Sequence, residues 1–136
     1  MNAPRARLLL VDDQESVRET TAALLADEFD VISAPDGTQA LEILARESFE
    51  VVCADYNMPG MTGAELLRRA QALRPCAAVL VTGHSEFVDS MSPQVRQGFS
   101  IVLKPYDPQL LIDTARRAYM FFKASGMAKQ QQRKLA

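Results

Sequence analysis

Leu8-Leu9-Leu10-Val11-Asp12-Asp13 joins four apolar residues directly to two carboxylates. A short, continuous apolar run is typical of a strand that is buried on both faces of a parallel sheet. Polar groups that follow such a strand lie at the carboxyl edge of the sheet, where open α/β sheets bind their ligands. The stretch therefore predicts a buried first strand with a pair of acids at a ligand-binding edge.

Other apolar runs along the chain end in the same way. Asp55, Thr82 and Lys104 each come directly after three or four apolar residues. Because parallel strands bring their carboxyl ends to one edge, we expect three carboxylates, a hydroxyl and an ammonium group to meet there. The carboxylates favour a hard divalent cation, and the hydroxyl and ammonium groups favour a phosphoryl group.

Helical periodicity alternates with the apolar runs. The five predicted strands cover residues 8–11, 29–34, 49–54, 77–81 and 99–103. The first three predicted helices cover residues 16–27, 36–48 and 63–73, and a fourth and a fifth helix follow the last two strands. Five strands alternating with five helices predict an α/β fold, in which right-handed crossovers place helices on both faces of one sheet.

Capping residues and prolines predict where the helices begin. Ser16 and Glu19 have the spacing of a capping box, and Asp36 can cap the second helix. Pro108 fits the first turn of the fifth helix. Pro93 lies in the region of the fourth helix, which we therefore expect to be short or irregular.

Two pairs of residues are assigned to the core. Cys53 and Cys76 have no metal-ligand spacing and are interpreted as small buried hydrophobes. Phe121 and Phe122 are predicted to close the core under the fifth helix, with a contact to a partner protein as the alternative for them. Two cysteines without a disulfide framework favour a reducing cytoplasm.

Composition sets broad limits on function. The 136 residues, 48% of them hydrophobic and 24% charged, fit one globular domain. A net charge of -2 gives no general attraction to nucleic acid, although residues 119–136 carry +4 and no acid. Since no apolar stretch approaches the roughly 20 residues that cross a bilayer, we expect no membrane partner.

Four motifs together resemble a known family. They are Leu9-Leu10-Val11-Asp12-Asp13, Asp55-Tyr56-Asn57-Met58-Pro59-Gly60, Val81-Thr82-Gly83 and Lys104-Pro105-Tyr106. In this order and spacing they resemble the receiver domain of two-component response regulators, including those of nitrogen-regulation-type transcriptional activators. The resemblance covers roughly residues 6–122. It implies a flavodoxin-like, doubly wound, three-layer sandwich with the strand order 2-1-3-4-5, and a Lys104–Pro105 peptide bond that is commonly cis.

The resemblance also implies a role for each site residue. Asp55 would be the phosphoacceptor, Thr82 would hydrogen-bond the phosphoryl group and Lys104 would pair with it. The implied magnesium site consists of Asp12, Asp13, Asp55 and the backbone carbonyl of Asn57. His84 occupies a position that, together with Asn57, modulates dephosphorylation in the family; a solvated loop residue is the alternative interpretation.

One residue departs from the family pattern. Many members place Tyr or Phe three residues before the lysine and use its rotation to report phosphorylation, whereas this chain has Ile101. We therefore expect the surface of helix four, strand five and helix five to respond through movement of helix four and its preceding loop, or with a different sign.

The implied partners are a sensor histidine kinase and an output domain or downstream protein, and the helix-four to helix-five surface could pair two copies. The receiver is expected over residues 1–122, with residues 123–136 as a helical extension or a linker to an output domain. The chain would be a switch rather than an enzyme. A phosphorylation-independent scaffold and a phosphotransfer intermediate remain as alternatives. A Mg²⁺-dependent phosphatase is disfavoured because Asn57 stands where that class has its general acid.

Overall fold

A computed structural model describes residues 4–90 and 98–126. The strands are β1 (Arg7–Val11), β2 (Asp30–Ala34), β3 (Val51–Asp55), β4 (Ala77–Thr82) and β5 (Ser100–Leu103). The helices are α1 (Glu15–Leu25), α2 (Gly37–Arg46), α3 (Gly63–Leu73), α4 (Ser85–Ser90) and α5 (Pro108–Ala124). Each strand begins and ends within two residues of its predicted bounds.

The five strands form one parallel sheet in the order β2-β1-β3-β4-β5. The sheet register pairs Val11 with Ala54, Asp55 with Val81 and Thr82 with Leu103. The carboxyl ends of β1, β3, β4 and β5 are therefore level with one another. The predicted fold class and strand order are confirmed, and the chain places its polar strand-end residues along one edge.

Alternating side chains of the three central strands, β1, β3 and β4, enter two separate cores. In β1, Leu9 and Val11 face the cluster that includes residues of α2 and α3, whereas Leu8 and Leu10 face the cluster that includes residues of α1 and α5. A continuous apolar strand is what burial on both faces requires. Cys53 and Cys76 are buried and free, as predicted, and burial raises the pKa of both thiols to about 12.

The predicted capping box of the first helix is wrong. Helix α1 begins at Glu15, with Gln14 at its N-cap and no side-chain cap, while the carbonyl of Ser16 accepts the Thr20 hydroxyl at 2.9 Å. The helix starts earlier because the carboxylate of Asp12 accepts the Gln14 N–H at 2.9 Å and turns the chain directly into the helix. The acid that follows β1 therefore sets the turn that leads into α1, and Ser16 lies inside the helix rather than at its N-cap.

Other helix starts agree with the sequence. Asp36 accepts the N–H of Gln39 at 2.8 Å at the start of α2, and α5 begins at Pro108 with Asp107 as its cap. Helix α3 runs over the predicted residues. The prediction for Pro93 concerns residues outside the described ranges.

The two neighbouring phenylalanines of α5 have different surroundings. Phe122 is buried in the core, as predicted, but Phe121 is 73% exposed, so the core assignment of Phe121 is wrong. Consecutive helical residues point about 100° apart, so only one of the two can face the sheet. Within the described residues, no helix has the length and apolar character needed to cross a membrane.

Arg74, at the C-cap of α3, ties that helix to the end of α2. Its guanidinium donates to the carbonyls of Leu44, Ala45 and Glu47, at 3.3 Å to Ala45 and 2.9 Å to Glu47. These carbonyls belong to the last turn of α2, where a helix leaves acceptors without intrahelical donors and a cation is favourable.

Arg74→Ala is expected to lower the free energy of unfolding by about 1–3 kcal/mol, because it leaves several partly buried carbonyls without donors. Urea unfolding measures the loss. Arg69→Ala is the matched control. In the part of the chain that the structure describes, Arg69 pairs with Glu65 on the exposed face of the same helix, and its loss should cost less than about 0.5 kcal/mol. Equal losses in the two variants would contradict the capping role.

Candidate functional site

Three carboxylates meet at the carboxyl edge of the sheet. One oxygen from each of Asp12, Asp13 and Asp55 lies within 4.8 Å of the others. Asp12 and Asp13 follow β1 and Asp55 ends β3, so the pairing of these two central strands creates the cluster. Asp12 and Asp55 are buried, whereas Asp13 is exposed. The cluster therefore has a closed side within the fold and an open side toward solvent.

The environment of Asp12 disfavours its charge. Burial raises the pKa of Asp12, and the nearby carboxylates of Asp55 and Asp13 add to this effect. The hydrogen bond from the Gln14 N–H and the charge of Lys104 act in the opposite direction. The net effect is a raised pKa for Asp12, so its charged form is less favourable here than in an exposed aspartate.

Lys104 supplies the positive charge that faces the cluster. The Lys104 Nζ lies 2.7 Å from Oδ1 of Asp55. The backbone N–H of Lys104 donates to the carbonyl of Thr82 at 2.8 Å, and this hydrogen bond aligns β5 with β4. Partial burial opposes the charged ammonium, but the hydrogen bond and charge of Asp55 outweigh it and raise the pKa of Lys104. The Lys104–Pro105 peptide bond is cis.

Thr82 is buried at the end of β4, beside the acids. Its hydroxyl oxygen accepts the backbone N–H of His84 at 3.1 Å, which leaves the hydroxyl hydrogen available to another acceptor. His84 itself is exposed, and its Nδ1 lies 3.2 Å from Oε1 of Glu86. His84 is thus a rim residue, in keeping with either of its two interpretations.

The loop between β3 and α3 begins directly after Asp55. Asn57 lies two residues after Asp55 and is exposed, and Gly60 has a φ of 81° that suits glycine. The loop returns so closely that a Cβ on Gly63 would lie 2.3 Å from the carbonyl oxygen of Asp55. The loop is therefore packed against the backbone of the residue from which it starts.

Sequence reasoning missed two residues of the site. Arg18, one turn into α1, donates from Nη1 to the carbonyl of Asp12 at 2.8 Å. The other is Gly63, which the sequence pattern marks only as the start of a helix. Nothing in the chain signals the contact of Arg18, but a glycine at the start of a helix just after the Asp55 loop is a usable signal for close backbone approach.

Ile101 is half-buried against the core cluster that includes residues of α2 and α3.

The donor set fits a magnesium ion. Mg²⁺ prefers oxygen ligands and is commonly held by one or two carboxylates with water completing its shell. Asp12, Asp13 and Asp55 provide three carboxylate groups at a partly open edge, and this is a cluster whose charge a divalent cation would relieve. Among residues 4–90 and 98–126, the cluster consists of carboxylates without a nitrogen or sulfur ligand, which favours Mg²⁺ over softer transition metals.

Comparisons with known proteins agree with this architecture. A family model described as "Response regulator receiver domain" matches residues 8–116. The hydrogenase transcriptional regulatory protein HoxA of Cupriavidus necator is 30% identical over 87% of this chain, and the response regulator protein FleR of Pseudomonas aeruginosa is 34% identical over 82%. The matches span 25% and 24% of those relatives, so the chain corresponds to about a quarter of their length.

Solved structures show the same fold. The signal receiver domain of an HD domain-containing protein from Pseudomonas fluorescens superposes with a TM-score of 0.81 at 27% identity, covering 92% of this chain and 94% of that one. A response regulator receiver domain protein from Clostridium thermocellum gives 0.78 at 27% identity, covering 88% and 98%. With its sheet order, its acidic edge and its facing lysine, this chain belongs to the response regulator receiver domain family.

Proposed function

We propose that Asp55 accepts a phosphoryl group from a phosphohistidine of a partner sensor histidine kinase, in a reaction that requires Mg²⁺. The observation that carries the proposal is the position of the Asp55 carboxylate, which lies among the acids of the cluster and 2.7 Å from the Lys104 ammonium. The Asp55 carboxylate is buried, but it belongs to a cluster that is open to solvent at Asp13, and the Lys104 ammonium beside it can offset the charge of a phosphoryl group.

The reaction places each side chain in a defined role. A carboxylate oxygen of Asp55 bonds to phosphorus as the phosphorus–nitrogen bond of the donor breaks, and the histidine nitrogen leaves with the bonding pair. Bound by Asp12, Asp13, Asp55 and the Asn57 carbonyl, Mg²⁺ would neutralise negative charge between the nucleophile and the donor. Lys104 would turn from the carboxylate to the phosphoryl oxygens, and the product is a labile mixed anhydride.

The same groups account for switching. The Thr82 hydroxyl hydrogen is available to a phosphoryl oxygen, and its movement would carry the start of the β4–α4 loop with it. The readout surface would comprise α4, β5 and α5, where Leu103, Leu110 and Phe121 expose apolar side chains. Because Ile101 has no ring to rotate, the response would travel through the loop and helix rather than through an aromatic side chain.

The wider context of the domain is also a proposal. Residues 1–122 would act as the receiver, and residues 123–136 would link it to an output domain that controls transcription, as in regulators of the nitrogen-regulation type. The similarity to HoxA, whose name describes a transcriptional regulatory protein, supports this assignment. The protein would work in the cytoplasm as a switch, without turning over a separate substrate, and the readout surface could also pair two copies.

Phosphorylation is tested directly with Mg²⁺ and acetyl phosphate, followed by intact-protein mass spectrometry after rapid quenching. We expect one added phosphoryl group, which requires Mg²⁺ and is absent from Asp55→Asn. Asp27→Asn, an exposed acid away from the site, should be modified like the original chain. An adduct that survives in Asp55→Asn would mean that another residue is the phosphoacceptor, and no adduct at all would favour a phosphorylation-independent scaffold.

Lys104→Met separates metal binding from group transfer. Removal of the ammonium 2.7 Å from Asp55 should tighten Mg²⁺ binding, on the order of tenfold, because a competing positive charge is lost. Phosphorylation at saturating Mg²⁺ should slow by roughly a hundredfold, because one donor to the transferring group is lost. Calorimetric Mg²⁺ titration and quenched-flow phosphorylation measure the two effects, and a parallel loss of both would contradict this division of roles.

Asp12→Asn should stabilise the metal-free protein. The substitution removes a buried negative charge that Asp55 and Asp13 repel, while the amide oxygen can still accept the Gln14 N–H. Thermal unfolding in EDTA should show a midpoint a few degrees above that of the original chain. Addition of Mg²⁺ should raise the midpoint of the original chain and leave the variant nearly unchanged. A lower midpoint in EDTA would mean that the hydrogen bond matters more than the repulsion.

A further inference from the structure

Gly63 is where α3 touches the backbone of Asp55. A Cβ built on Gly63 would lie 2.3 Å from the Asp55 carbonyl oxygen, 2.8 Å from its carbonyl carbon and 3.0 Å from Cα of Tyr56. All three atoms are backbone, so no rotation of a side chain can make room. The φ of Gly63 is not in the left-handed region, which means that space rather than backbone conformation requires glycine here.

The backbone of Asp55 and Tyr56 that Gly63 touches is held in place by β4. The N–H of Tyr56 donates to the carbonyl of Val81 at 2.8 Å, and β3 is paired with β4 up to Asp55. The N–H of Gly63 donates in turn to the carbonyl of Tyr56 at 2.9 Å. Since β4 holds the end of β3, an added Cβ would push the first turn of α3 away and take the intervening loop with it.

We propose that Gly63 is a positioning residue for the magnesium site, because its missing side chain lets α3 dock on Asp55 and so fixes the loop that carries the Asn57 carbonyl. The inference rests on the proposed function only in taking Mg²⁺ as the ion. In a Gly63 variant, the three carboxylates would remain in place. The Asn57 carbonyl, on the loop between β3 and α3, would move relative to them.

Gly37 offers a matched control. Both glycines are the first residue of a helix and follow a side-chain cap, Asp36 in α2 and Thr62 in α3. A Cβ on Gly37 would also be too close to a neighbour, 2.8 Å from the Met61 sulfur and 3.2 Å from the Met61 Cβ. The sulfur is the far end of a flexible side chain and can move away, and the Cβ has to yield by only a few tenths of an ångström, whereas Gly63 meets backbone atoms at 2.3 and 2.8 Å. The two positions therefore differ chiefly in whether backbone of the site must yield.

The experiment measures Mg²⁺ affinity by calorimetry, without any phosphodonor, in the original chain, Gly63→Ala and Gly37→Ala. Misplacement of a supporting group typically weakens metal binding by about tenfold or more, and we expect at least this loss for Gly63→Ala. Gly37→Ala should bind as the original chain does. Circular dichroism and thermal unfolding establish that each variant is folded at the temperature of the titration.

A folded Gly63→Ala protein with unchanged Mg²⁺ affinity would overturn the positioning role and leave the proposed function intact. Equal weakening in both variants would also overturn it, because the loss would then follow from general destabilisation. If Gly63→Ala does not fold alone, all three proteins are titrated in trimethylamine N-oxide, which favours the compact state. If the original chain itself binds no Mg²⁺, both the proposed metal site and this inference are overturned.

Discussion

The sheet of this protein holds negative charges together against their mutual repulsion. Carboxylate oxygens of Asp12, Asp13 and Asp55 lie within 4.8 Å of one another because β1 and β3 are neighbours and end at the same level. The apolar side chains behind these strand ends fill two cores, and their burial outweighs the unfavourable charge. The Lys104 ammonium offsets part of the charge, and the remainder makes the edge receptive to a cation. The stability of the cores and the reactivity of the edge thus come from the same strands.

The parts of the site that can be predicted from sequence are those set by single strands. A run such as residues 8–11 is buried on both faces, so its direction and its polar end follow from hydrophobicity alone. For this reason the sequence by itself is enough to place Asp12, Asp55 and Lys104 at one edge of the sheet. The start of α1 is not predictable in this way, because the Asp12 carboxylate accepts the Gln14 N–H and the helix begins before Ser16.

The rest of what the sequence does not predict depends on how the chain turns between neighbouring elements and how the helices are oriented. Arg18 reaches the carbonyl of Asp12 because of the way the chain turns from β1 into α1, and the need for glycine at residue 63 depends on the return path of a loop. Phe121 and Phe122 illustrate the same limit, since both are large and apolar and only the orientation of α5 decides which one is buried. Composition and spacing contain no information about such angles.

A change at the acidic edge can reach the surface formed by α4, β5 and α5 through the ends of β4 and β5. Thr82 and Lys104 are joined through the backbone, since the Lys104 N–H donates to the Thr82 carbonyl, so a shift at either residue strains the pairing of β4 with β5. Ile101, three residues before Lys104, packs against the core, and its aliphatic side chain has no polar group that could form a different contact. A phosphoryl group at Asp55 would draw on Thr82 and Lys104 together, and the smallest adjustment that satisfies both is movement of the exposed loop after β4. The interior strands, packed on both faces, would resist any larger change.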